Sequence, residues 1–130
     1  MGYANPIQRV TYSWPEHDFG NGDGAVSFQG PSGLTGRLRD IIVHCTETFN
    51  QVTTQGQVQL GTSADPDAYA LANLGSLADT DTFVASKDDS DWLITDAALA
   101  ADTQIEVVFT APTGGTPAGK GSVTIVCEWS

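Results

Sequence analysis

The sequence predicts an all-β protein: a two-sheet β-sandwich, jelly-roll-like, with one short helix. Strict alternation is the first reason. Ile105, Val107 and Phe109 alternate with Gln104, Glu106 and Val108, and Val123, Ile125, Cys127 and Trp129 alternate with Thr124, Val126 and Glu128. Side chains on a strand point to opposite faces with period two, so each run lays an apolar row on one sheet face. The second reason is spacing, because about eight such runs recur every 8–12 residues or so, the rhythm of a sandwich. The third is punctuation by glycine, proline, asparagine and aspartate between the runs.

In chain order, residues 7–14 form the first predicted strand, with Val10, Tyr12 and Trp14 on one face and Pro15 ending it. Residues 18–24 hold three glycines in Asn-Gly and Asp-Gly pairs that favour positive-φ turns. A short strand over 25–29 closes at Gly30-Pro31-Ser32-Gly33. The strongest run is 36–49, with Ile41, Val43 and Cys45 in one row and Leu38, Asp40, Ile42 and His44 in the other. Residues 57–61 follow, with Val58 and Leu60 as the apolar row. The pattern then changes. Ser63-Ala64-Asp65-Pro66-Asp67 offers capping oxygens and a first-turn proline, and 68–74 is rich in helix formers before Gly75, so the one short helix is expected here. Short strands are expected over 82–86 and 91–95 around a turn at 87–90, and a helical turn over 97–101. The last 28 residues, 103–130, read as one antiparallel hairpin, because the loop 111–121 is too short for a helical crossover.

At 130 residues the chain is expected to be a single domain, 1–130, large enough to bury a core without staples. Its longest apolar runs are five residues, against the roughly 20 that a spanning helix needs, so no membrane partner is expected. The opening residues lack the basic cluster and apolar core of a secretory signal, which implies synthesis and retention in the cytoplasm. Sixteen carboxylates against five basic residues give a net charge of −11, and ten of the sixteen lie between Asp65 and Glu106. That balance opposes a phosphate backbone, whose binding depends on Lys and Arg, so no nucleic-acid partner is expected. It suits a solvated, soluble surface or a cation-bearing partner.

Candidate chemistry is sparse. Asp18-Phe19-Gly20-Asn21-Gly22-Asp23-Gly24 has the oxygens of a calcium loop, yet it misses the EF-hand order by one residue and reads as a turn cluster. Asp79-Thr80-Asp81 and Asp88-Asp89-Ser90-Asp91 read as loop tips. No metal and no cofactor is expected. His17 and His44 are the two histidines, and no Gly-x-Ser-x-Gly elbow accompanies them, so the chain is not expected to be an enzyme. Cys45 and Cys127 each sit in an apolar strand and behave as small hydrophobes, with reduced thiols expected in a cytoplasmic product. Of the three tryptophans, Trp129 belongs to a core row, while Trp92, beside Asp91, is the candidate ligand-facing aromatic.

Asn5-Pro-Ile-Gln-Arg-Val-Thr-Tyr12, Gly36-Arg-Leu-Arg-Asp-Ile-Ile-Val-His44 and Pro117-Ala-Gly-Lys-Gly-Ser-Val-Thr-Ile-Val-Cys-Glu-Trp129 resemble stretches of small head proteins of tailed bacteriophages. Those proteins act beside the major capsid protein as decoration, or cement, proteins. The resemblance is one of style across most of the chain: acidic, β-rich, loaded with Gly, Thr and Ala, and ending on a strand. It implies a virion protein on the outer capsid surface, partnered by the major capsid protein and by itself as a homotrimer, that reinforces the shell. Met1, Gly2, Tyr3, Ala4, Asn5, Pro6 and Ile7, free of charged side chains, then form a candidate capsid-binding arm. The alternative is a carbohydrate- or receptor-binding module of a virion that uses Trp92 and the acidic loops.

Overall fold

A computed structural model describes residues 7–50, 53–94 and 98–130. Eight strands make two antiparallel four-stranded sheets: β1 (Gln8–Asp18), β8 (Ala118–Trp129), β3 (Gly36–Asn50) and β6 (Thr82–Val84) in one, and β2 (Gly24–Phe28), β7 (Ile105–Thr110), β4 (Gln57–Gly61) and β5 (Ala70–Asn73) in the other. The pairing is nested: β1 with β8, β2 with β7, β3 with β6 and β4 with β5. A long hairpin rolled up on itself gives this order, so the fold is a jelly roll. Inward rows from both sheets meet in one core, where Ile41, Val43, Val58, Leu60, Val107, Ile125 and Trp129 are all buried. Burial of these side chains, at about 1.5–3 kcal/mol each, is what holds the sheets face to face.

The alternation at the C-terminal end correctly assigns faces but not partners. β7 and β8 do not form the expected hairpin; they lie in opposite sheets, and the inward rows of both are buried in the core. The β7–β8 connection carries the chain from one sheet to the other beside another such connection, between β3 and β4. The two crossings are tied together, with Thr53 and Thr54 N–H donating to the Thr113 carbonyl at 2.9 and 3.3 Å, and Thr113 N–H donating back to Thr54 at 2.9 Å. Gly114 sits there at φ +90, where a Cβ would meet Thr53 Oγ1 at 2.4 Å, so only glycine fits.

The expected helix near residues 63–74 is instead a tight loop and β5. Ala70 and Ala72 are fully buried inward, and Leu71 N–H reaches the Trp92 carbonyl on the far side from β4. Two flanking ladders outweigh helix propensities that differ by fractions of a kcal/mol per residue. The strand expected over 82–86 is present as β6 over its first three residues, and a helical turn, α1 (Ala85–Asp88), takes its last two. Asp88 Oδ2 accepts the Val84 N–H at 2.9 Å, and Asp40 accepts both the Ser86 N–H (3.1 Å) and hydroxyl (2.6 Å). Those carboxylates satisfy the N–H groups a helix start leaves open.

Smaller corrections have equally local causes. Pro15 does not end β1, which continues to Asp18 through a bulge between Trp14 and His17; an edge strand tolerates proline there. A bulge between Leu38 and Asp40 turns Leu38 into the core row. Leu93 forms an isolated bridge to Ala70 in place of a strand over 91–95, and Leu99 bridges Gly36 where a helical turn was expected. Residues 95–97, which belong to those two expectations, lie outside the described residues. Cys127 faces Leu38 and Cys45 faces Gly121, six positions apart along β8. At about 3.3 Å per residue that is ~20 Å, far beyond bridging range. Both thiols are free and buried.

Candidate functional site

Several of the loop carboxylates, among them members of the clusters that suggest cation ligands, accept backbone N–H groups. Asp23 Oδ1 accepts the Ala111 N–H at 2.7 Å, pinning the β1–β2 loop to the end of β7. Asp89 accepts the N–H groups of Asn73 (3.0 Å) and Asp91 (3.1 Å), and Asp102 Oδ1 accepts that of Gly33 at 2.9 Å. Among the described residues no three His, Cys, Asp or Glu side chains stand close enough to hold a metal ion. His17 Nε2 lies 3.0 Å from the Gly22 carbonyl, with its ring packed on Phe19 and Phe109, and His44 Nδ1 is 3.3 Å from Thr82 Oγ1. A concavity of about 700 Å³ is an open groove between the β5–β6 loop and α1, walled by Gln55, Asn73, Asp81, Lys87 and Asp88.

Trp92 is not the exposed aromatic that the sequence suggests. It is 8% exposed and joins the core, because the 92–94 strip is drawn against β5 by the Leu71–Trp92 and Ile94–Tyr69 backbone bonds. Trp129 is buried as expected. Its Nε1–H has no hydrogen-bond partner among the described residues. The Tyr12 hydroxyl feels the indole dipole, which offsets part of the rise that burial gives its pKa, without closing a bond to it. Trp14 faces Val123 and Trp129 faces Gln8, six positions apart along β8, so the tryptophans share no platform.

The arm residues Met1, Gly2, Tyr3, Ala4, Asn5 and Pro6 lie outside the described residues; Ile7, the last of the arm, is 65% exposed. It borders a cleft of about 310 Å³ lined with Thr35, Arg37, Arg39, Ala98 and Glu128. Strand register builds the charge there. Arg9 and Arg37 both sit opposite Glu128, from β1 and β3, and the Arg39 guanidinium pairs with the same carboxylate. Three of the five basic residues thus gather around one acid on the outer face of the β1-β8-β3-β6 sheet. An exposed pair like Arg39–Glu128 adds under about 1 kcal/mol to stability, but guanidinium forks recognise carboxylates with defined geometry. The cleft therefore suits an extended segment carrying a carboxylate and an apolar side chain to set beside Ile7. The spacing of Arg37 and Arg39 hints at one face; adding Arg9 needs the β1–β8 register, which no sequence pattern contains.

No family model, no curated protein and no solved structure matches this chain.

Proposed function

We propose that this chain is a structural virion protein that attaches to the outer face of an assembled bacteriophage capsid and stabilises the shell, through residues 1–7 and the adjoining arginine cleft. The observation that carries the reading is the position of Ile7: the exposed end of the arm opens directly onto the cleft where Arg37 and Arg39 converge. Arm and cleft then act as one contact region. A short segment alone buries little surface and binds weakly, so a second contact beside it is what makes attachment firm. The remaining surface, at a chain net charge of −11, favours solubility and opposes indiscriminate association before assembly.

The jelly-roll architecture fits the reading as an analogy, since viral shell proteins and lectins both use it. The alternative of a sugar-binding module loses its main support with the burial of Trp92. The test is titration of bare expanded capsids with the full chain, with a chain lacking residues 1–7, and with the Arg37→Glu/Arg39→Glu double variant. Both alterations are expected to weaken binding while circular dichroism stays that of the folded sandwich. Equal occupancy by all three proteins overturns the assignment of the contact region.

A further inference from the structure

Four strands end the two sheets, and three of those edges are closed or short. β5 is covered by the backbone of residues 92–94, β6 is three residues long and runs straight into α1, and β2 has five residues. β1 has eleven. Its far end is guarded by Pro15 and the bulge after Trp14, two common devices against edge-to-edge pairing. The stretch from Gln8 to Trp14 keeps an unbroken register with β8 and, among the described residues, has no strand on its other side. Its inward row is also unfinished: Val10, Tyr12 and Trp14 are only half-buried, whereas Val123, Ile125 and Cys127 beside them on β8 are 0–1% exposed. Tyr12 stacks on Phe28 at 4.3 Å, so an apolar flank runs between β1 and β2 beneath the open edge.

We propose that this edge binds the same strand of a second copy of the chain, antiparallel about a twofold axis at Tyr12. Inward rows meet only when the paired residue numbers are both odd or both even, because a one-residue slip flips every side chain. With Tyr12 on the axis, Val10 of each copy lies against Trp14 of the other, and Thr11 against Ser13. The half-buried row becomes a continuous apolar ladder of cross-strand pairs. Charge selects a second copy as the occupant. Between Gln8 and Glu16 the charged side chains are Arg9 and Glu16, and antiparallel pairing sets Arg9 of each copy beside the Pro15-Glu16 step of the other. Elsewhere two chains of net charge −11 repel; along this strand they match.

Seven paired residues with three half-covered side chains make less than the ~800 Å² per partner of a standard interface, so a dissociation constant in the micromolar range is expected. The inference is independent of capsid attachment, and its test uses free protein, so either can fail alone. It replaces, for the protein in solution, the threefold association that the resemblance implies.

Sedimentation of the full chain over a concentration series should show a monomer–dimer equilibrium. Glu16→Arg should weaken it about tenfold, two exposed pairs turned to repulsions, and Arg9→Glu/Glu16→Arg should restore it. Mixing a Thr11→Cys protein with a Ser13→Cys protein under mild oxidation should cross-link the two faster than either links to itself. A monomer at every concentration up to about a millimolar overturns the proposal, as does a trimer, or a dimer indifferent to Glu16→Arg. Protection of the β1 amides seen only on capsids overturns it too, and makes a shell segment the occupant.

Discussion

Trp129 is held between two glycines, and adding one methyl group to either should be felt through the whole core. A Cβ at Gly30 would meet Cη2, Cζ2 and Cζ3 of the indole at 2.4–2.5 Å, and one at Gly36 would meet Cε3 and Cζ3 at 2.6 Å. Real Cβ atoms do not approach so closely, and Trp129, 1% exposed, has no room to withdraw. Neither glycine lies at positive φ, so Gly30→Ala and Gly36→Ala test packing alone. Overpacking of this kind costs about 1–3 kcal/mol. For a chain of 130 residues a kcal/mol moves Tm by about 4 °C, so each variant should melt roughly 4–11 °C lower. Thermal denaturation followed by circular dichroism reads this, with Ser32→Ala in the same exposed turn as a control expected within about 0.5 kcal/mol of the parent. Trp129→Phe removes the outer carbons that Gly30 faces. Gly30→Ala should therefore cost at least about 0.5 kcal/mol less in that background. Additive costs, or a Gly30→Ala protein that melts with the parent, would refute the packing argument.

Burial pushes the Cys127 thiol up to about 12 from 9.0, so the folded chain holds a proton that the unfolded chain releases. Stability is full below pH 9 and should fall by up to about 1.4 kcal/mol per pH unit as pH rises towards 12. Burial raises Tyr12 and Cys45 in the same direction, so Cys127→Val should flatten the alkaline slope of urea midpoints without abolishing it; an unchanged slope would contradict this account of Cys127. Asp89→Ala removes the acceptor for both the Asn73 and Asp91 N–H groups and should cost about 1–2 kcal/mol in chemical denaturation. A neutral result would mean that water replaces the carboxylate at that loop.

The elements most legible in the sequence are those whose identity is local. β3 and β4 appear almost to the residue, because long alternation between glycine-rich turns admits little else. The partner of a strand is not local. β7 and β8 look like a hairpin because alternation marks the inward face of each strand and is silent on which sheet it joins. β5 reads as helix because Ala and Leu favour one, and the backbone strips that capture it come from residues 57–60 and 92–94. Sites follow the same rule. Arg37 and Arg39 share a face by spacing, but their meeting with Arg9 around Glu128 depends on two registers set by β8. Trp92 looks exposed beside Asp91, and tertiary pairing buries it.

Attachment to the capsid is tested most directly by measuring bound copies of the full chain on bare expanded capsids and on free capsid subunits, together with the temperature of DNA release from filled particles. A protein that binds the assembled shell and not its free subunits stabilises the shell by mass action, about 2.7 kcal/mol per site at ~100-fold excess over Kd. The account predicts saturable binding to capsids, none to free subunits, and a higher release temperature when the sites are filled. Absence of binding to capsids, or equal binding to free subunits with no change in release temperature, would contradict it.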